Sequence, residues 1–161
     1  MKILGIDPGT TTIGYAIVEA DWSKPVLWNF GIIETTAKES LEYKLLTIGD
    51  DFRELMNVYK PDIIAFEKLF FNTNITTGID VAHARGVMMY FAKKSGAHIL
   101  EYTPLEVKSA ITGFGRADKV QLQNAIRILF WLESIPKPDD AADAIGLAYM
   151  WYLNRKLIWL K

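Results

Sequence analysis

Residues 1–18 read MKILGIDPGTTTIGYAIV, and the rest of the chain is placed by how they fold. Ile3-Leu4-Gly5-Ile6 is a short apolar run ending on Asp7, and Pro8-Gly9 is among the strongest turn signals a sequence carries. The chain must reverse there. Ile13-Gly14-Tyr15-Ala16-Ile17-Val18 is apolar again and rich in β-branched and aromatic residues, so the two runs predict a hairpin with Asp7 at an exposed strand end. Glycines at 5, 9 and 14 predict bare backbone that a phosphate or metal can approach closely. Taken alone, Asp7 also fits an ordinary turn acid that caps its own backbone. Other acids converging on the same point decide between the two readings.

Working outward, Val26 to Ile33 predicts a third strand and completes an antiparallel meander. Leu41, Leu45, Ile48, Phe52, Leu55 and Tyr59 recur at spacings of four and three, the apolar stripe of a helix that must stop before Pro61. Asp62 to Phe66 is a fourth strand and it too ends on an acid, Glu67. A helical crossover permits the first and fourth strands to lie side by side and parallel, which brings Asp7 and Glu67 within reach of one ion. A polar linker, Asn72 to Thr77, leads into a helix to about Lys94, and Ala97 to Tyr102 is a fifth strand. Thr103-Pro104 with Glu106 predicts a capped short helix. Gly113-Phe114-Gly115-Arg116-Ala117-Asp118-Lys119 reads as a flexible loop bearing two bases before a helix carrying Leu122, Ile126 and Leu129. After Pro136-Lys137-Pro138 a last helix starts near Asp139-Asp140 and turns Ala141, Ile145, Ala148 and Tyr152 to the core. At about 100° per residue, Asp140 and Asp143 lie within roughly 60° of each other at its N-terminus.

Composition narrows the chemistry. At 161 residues, half of them hydrophobic, the chain has the length of one domain with a substantial core. With no cysteine, a metal must be held by oxygen ligands or by the two histidines, His83 and His98, so a hard cation is the natural guest. His83 reads as a packed or exposed residue rather than a ligand. No stretch approaches the roughly 18 apolar residues of a membrane span, and the N-terminal run is too short for a signal peptide, so a cytoplasmic protein is expected. The net charge of −1 speaks against a general polyanion binder, yet residues 84–127 hold seven bases against three acids. A cationic region beside an acidic one suits nucleic acid on one face and metal carboxylates near it.

The chemical expectation is that Asp7, Glu67, Asp140 and Asp143 form one acidic pocket at the carboxyl ends of strands one and four. Four carboxylates that close need compensation, most simply two Mg²⁺ or Mn²⁺ ions sharing Asp7. Two such ions about 4 Å apart stabilise the attacking water and the departing oxygen of a phosphoryl displacement. Lys119 is the base best placed to orient or activate the water, or to hold the phosphate. Singly, these acids read as strand-end or first-turn residues favoured by the helix dipole, and Lys119 as a surface base. Phe70-Phe71 sits at the edge of the loop that starts Asn72-Thr73-Asn74.

The ordered set GIDPGTTTIGYAI, PDIIAFEKLFF, NTN…AHARG, EYTPLEVKSAITGFGRADKVQLQ and DDAADAIGLA resembles the RuvC family of Holliday junction resolvases, within the RNase H-like superfamily, from the first strand to the last helix. The resemblance implies one RNase H-like domain over 1–161: an α/β fold with a five-stranded mixed sheet, an antiparallel meander plus two parallel strands, flanked by helices. It places the metal-binding catalytic carboxylates at Asp7, Glu67, Asp140 and Asp143, with lysines near the cleaved strand at Lys108 and Lys119. The junction-base wedge falls on Phe70, and Arg116 joins the DNA-binding set. The third acid lies in the doublet Asp139-Asp140, and its register follows from the gap to Asp143. The resemblance further implies a homodimer making paired nicks in a four-way junction during recombination and repair, leaving 5′-phosphate and 3′-hydroxyl ends, with a branch-migration complex as bacterial partner. Two other readings stand beside it. One is a catalytically inactive junction-binding protein of the same fold. The other is a fragment of an actin-like ATPase, whose phosphate-binding hairpin GIDPGTTT also resembles, although no second Asp-x-Gly-Thr hairpin is present.

Overall fold

The structure is a computed structural model that describes residues 1–21, 23–69 and 75–158. Its elements run β1 (Lys2–Asp7), β2 (Thr12–Glu19), β3 (Val26–Glu34), α1 (Leu41–Tyr59), β4 (Ile63–Glu67), α2 (Ile75–Lys94), β5 (His98–Tyr102), α3 (Pro104–Thr112), α4 (Lys119–Phe130) and α5 (Asp139–Ile158). The five strands form one sheet in the order β3-β2-β1-β4-β5. β3, β2 and β1 are antiparallel, whereas β1, β4 and β5 are parallel. This is the mixed sheet that the sequence predicts. α2 starts at Ile75, inside the stretch read as a polar linker, because its Thr76 and Thr77 are exposed first-turn residues rather than loop.

Period-two alternation divides the strand residues between two helical layers. Leu4, Ile6, Ile13, Ile17, Ile64 and Phe66 pack with Ile48, Phe52 and Met56 of α1 and with Ala84, Met88 and Ala92 of α2. The alternate residues Ile3, Val18, Ile63 and Ala65 pack with Leu147, Ala148, Met150 and Trp151 of α5. Asp7 and Glu67 continue the odd series Ile3-Gly5-Asp7 and Ile63-Ala65-Glu67. Both acids therefore leave the sheet on the α5 face.

Gly5 and Gly14 are the reason α5 lies so close. A Cβ on Gly14 would stand 1.9 Å from the carbonyl oxygen of Asp140, and one on Gly5 would stand 2.0 Å from that of Ala144. The space expected for a phosphate or metal at these two positions is filled by helix backbone. At Gly9 a Cβ would strike the Thr12 carbonyl, so that glycine serves its own turn. The glycines admit the helix, and the helix delivers its acids to the strand ends.

Candidate active site

Asp7 ends β1, and Gly14 opposite it in the β1–β2 register is the residue against which Asp140 is seated. Ile6 pairs with Phe66, so the next residue along each of these parallel strands is an acid, Asp7 or Glu67. α5 contributes Asp140 and Asp143 from its first two turns, where the helix macrodipole favours negative charge. Glu67 also pairs with Tyr102, the last residue of β5, so the chain enters α3 beside it. Thr103 caps α3 in a reciprocal box with Glu106: its hydroxyl accepts from the Glu106 amide at 3.1 Å, and its own amide donates to the Glu106 carboxylate at 2.7 Å. Lys108 follows on the next turn of that capped helix and reaches the site.

One cavity of about 240 Å³ is lined by Asp7, Glu67, Asp140 and Asp143, by Lys108 and Lys119, and by Pro104, Val107, Leu122 and Leu147. The four predicted acids and both predicted lysines thus share a wall. Arg116 is exposed on the loop before α4, outside this lining. Phe70 lies outside the described residues. Of the two histidines, His83 and His98 are both exposed and neither lines the cavity.

The electrostatics are those of crowded acids. Burial, then the carboxylates of Glu67, Asp143 and Asp140, push Asp7 up to about 8, against the pull of Lys119. Burial and Asp143 push Glu67 up to about 7, with Lys108 opposing. Burial also raises Asp143 to about 6 against the pull of Lys119, and it raises Asp140, with help from Asp139. Ionised together, these groups need positive charge that two lysines do not fully supply.

Among the described residues, no three His, Cys, Asp or Glu side chains are already drawn together at metal-ligand spacing. The donor set nonetheless fits a hard divalent cation, being entirely carboxylate, partly desolvated and short of positive charge.

The structure also separates the acidic doublet. Asp140 lines the cavity, whereas Asp139 ion-pairs with the Lys119 ammonium across the facing N-termini of α4 and α5. That hydrogen bond holds the Asp139 carboxyl below its ordinary range and raises Lys119. A lysine held protonated donates to a phosphate oxygen rather than taking a proton from water. Lys119 is set in place by Asp118, whose side chain accepts from the Gln121 amide at 2.8 Å in a second capping box.

Two features were missed in the sequence. The loop before α4 is not loose: Gly113 closes α3 in the left-handed region, and Thr112 Oγ1 donates to the Lys108 carbonyl at 2.8 Å and accepts from the Phe114 amide at 3.1 Å. It presents Phe114, 58% exposed, beside Arg116. The second is the Lys119–Asp139 pair, for which the only signal was two opposite charges each starting a helix.

This sheet order, with acids at the carboxyl ends of two adjacent parallel strands, defines the class as RNase H-like. The particular family follows from comparison with known proteins: the chain belongs to the RuvC family, whose model, described as crossover junction endodeoxyribonuclease RuvC, matches residues 3–151. The crossover junction endodeoxyribonuclease RuvC of Petrotoga mobilis is 45% identical over 149 residues, covering 92% of this chain and 91% of that protein. The one from Alkaliphilus metalliredigens is 48% identical over 148 residues, covering 92% and 90%. The solved structure of Thermus thermophilus RuvC superposes with a TM-score of 0.88 at 26% identity, covering 98% of this chain and 96% of that one. A T. thermophilus RuvC complex with a Holliday junction substrate gives the same TM-score at 27% identity, covering 97% and 96%.

Proposed function

We propose that this chain resolves four-way DNA junctions, as a crossover junction endodeoxyribonuclease of homologous recombination and repair. Four acids and two lysines around one cavity, in a chain of the RuvC family, carry this reading. RuvC proteins are metal-dependent nucleases, and for this chain the ions are Mg²⁺ or Mn²⁺, two to a site, held by Asp7, Glu67, Asp140 and Asp143. The chemistry a divalent cation supplies to such a carboxylate set is stabilisation of the attacking and departing oxygens. Lys119 and Lys108 hold the scissile phosphate against that wall, Lys119 as the protonated donor that its Asp139 partner favours. Arg116 follows the DNA backbone, and Phe70 wedges against junction bases. A homodimer sets two such sites on opposing strands, and the pair of nicks leaves 5′-phosphate and 3′-hydroxyl ends. The protein works in the cytoplasm alongside a branch-migration complex; among the described residues no helix is long and apolar enough to cross a membrane.

The test is incubation of the purified protein with a synthetic four-way junction, and with linear duplex, with and without Mg²⁺, reading binding and cleavage separately. Metal-dependent paired nicking of the junction alone is the expected result. Junction binding without cutting, under any divalent ion, overturns the enzyme reading in favour of a non-cutting binder.

A further inference from the structure

The AHARG segment, residues 82–86, is part of α2 and takes no part in the cavity. Within it, Arg85 has a side chain only 15% exposed, and it makes three contacts at one place. Its Nε donates to the backbone carbonyl of Glu67 at 3.3 Å. Its guanidinium ion-pairs with Glu101 of β5, and it lies 5.5 Å from the centroid of the Phe66 ring.

Phe66 and Glu101 are register partners in the β4–β5 ladder, and Glu67 is the next residue. Arg85 thus grips both strands of the ladder at the point where the acid emerges. It does so from the α1–α2 face, on which Phe66 packs, while the Glu67 side chain leaves toward α5. Any influence of Arg85 on that acid therefore runs through the backbone.

We infer that Arg85 is a positioning residue: by pinning the Glu67 carbonyl, the Phe66 ring and Glu101 together, it fixes where the Glu67 carboxylate stands in the cavity. This rests on the reading of Glu67 as a metal ligand. Guanidinium geometry suits the task, because a rigid planar fork can bond two acceptors and stack on a ring at once, which the point charge of lysine cannot.

The test uses R85Q, R85K and E101Q in the full chain, with E67Q beside them. Cleavage of a four-way junction is measured against Mg²⁺ concentration, metal-free junction binding is measured separately, and thermal unfolding is followed with and without Mg²⁺. Loss of a group that orients a metal ligand typically costs about 10- to 100-fold in metal affinity or activity. We expect R85Q to raise the Mg²⁺ needed for half-maximal cleavage by about tenfold, with much of the rate recovered at excess Mg²⁺. Its Mg²⁺-induced rise in unfolding temperature shrinks, and metal-free junction binding stays unchanged. E101Q, which keeps the arginine and weakens one arm, moves the same way by a smaller factor, and R85K rescues only part of the loss.

An unchanged Mg²⁺ response in R85Q, with E67Q inactive, overturns the role of Arg85 and leaves Glu67 as a ligand. Loss of metal-free junction binding in R85Q overturns it as well, by making Arg85 a DNA contact. Should R85Q fail to fold, an unaltered Mg²⁺ response in both E101Q and R85K does the same. E67Q cutting at the wild-type rate overturns the ligand reading itself, and the inference falls with it.

Discussion

Replacing Asp7 by Asn is the perturbation whose effects on activity and on stability should run in opposite directions. Asp7 has its ordinary value of 3.8 pushed up to about 8 by burial and by the Glu67, Asp143 and Asp140 carboxylates. The sign follows from proton binding: between pH 4 and pH 8 the folded state keeps a proton on Asp7 that the unfolded chain has lost. The metal-free protein therefore loses stability as pH rises through that window. At about 1.4 kcal/mol per tenfold change, the ionised carboxylate carries a cost on the order of 5 kcal/mol near pH 8, before the site relaxes. Asn keeps the shape without the charge. In a domain of this size each kcal/mol moves the unfolding temperature by about 2–4 °C, so D7N should unfold several degrees above wild type at pH 8 without metal. Near pH 5, about one unit above the ordinary value, the gap should shrink to roughly 2 kcal/mol. Adding Mg²⁺ should stabilise the wild type and leave D7N almost unmoved, and D7N should not cut. Scanning calorimetry across pH 5–8, in chelator and then in Mg²⁺, reads all of this. A metal-free D7N less stable than wild type at pH 8 would refute the crowded-acid picture.

Other consequences are sharper in outcome than in size. Asp139→Asn releases Lys119 without touching the cavity wall; an exposed pair is worth less than about 1 kcal/mol, so single-turnover cleavage should fall by no more than about fivefold. Asp140→Asn should abolish it, and equal losses would show that the doublet has been divided wrongly. Gly14→Ala sets a methyl where the Asp140 carbonyl lies 1.9 Å away; strain of this kind typically costs about 1–3 kcal/mol, and denaturant titration should show it together with lost cleavage as α5 is pushed off the sheet. Phe114→Ala removes an exposed ring beside Arg116, and gel-shift titration should show weaker junction binding with an unchanged unfolding temperature; unchanged binding would make that ring idle.

Much of the fold was legible because its signals are local. Asp7-Pro8-Gly9 can only turn, Pro61 ends α1, and Thr103 with Glu106 announces a helix start. That the first and fourth strands end on Asp7 and Glu67 was visible, and so was the helical spacing of Asp140 and Asp143. What was not legible depends on how elements meet. Nothing local says that Gly5 and Gly14 face the backbone of a helix more than 120 residues away, so they read as room for a ligand. Asp139 and Asp140 differ only in which way α5 is rotated on the sheet. Leu41 and Leu45 share the apolar stripe of α1 yet stay half-buried, while Gly49, outside the residues read as that stripe, is buried against Val87 and Phe91 of α2. Arg85 looked like one more base of a cationic region because its partners, Glu67 and Glu101, lie on two strands that only tertiary pairing brings together.

Mg²⁺-dependent nicking of a four-way junction by wild type, D7N, E67Q, D140N, D143N and D139N, with metal-free junction binding measured on the same samples, tests the four-acid site most directly. The prediction is that wild type cuts, that D139N cuts within about fivefold of it, and that the other four bind the junction and leave it whole. A wild-type rate in D7N, E67Q, D140N or D143N would contradict the four-acid site.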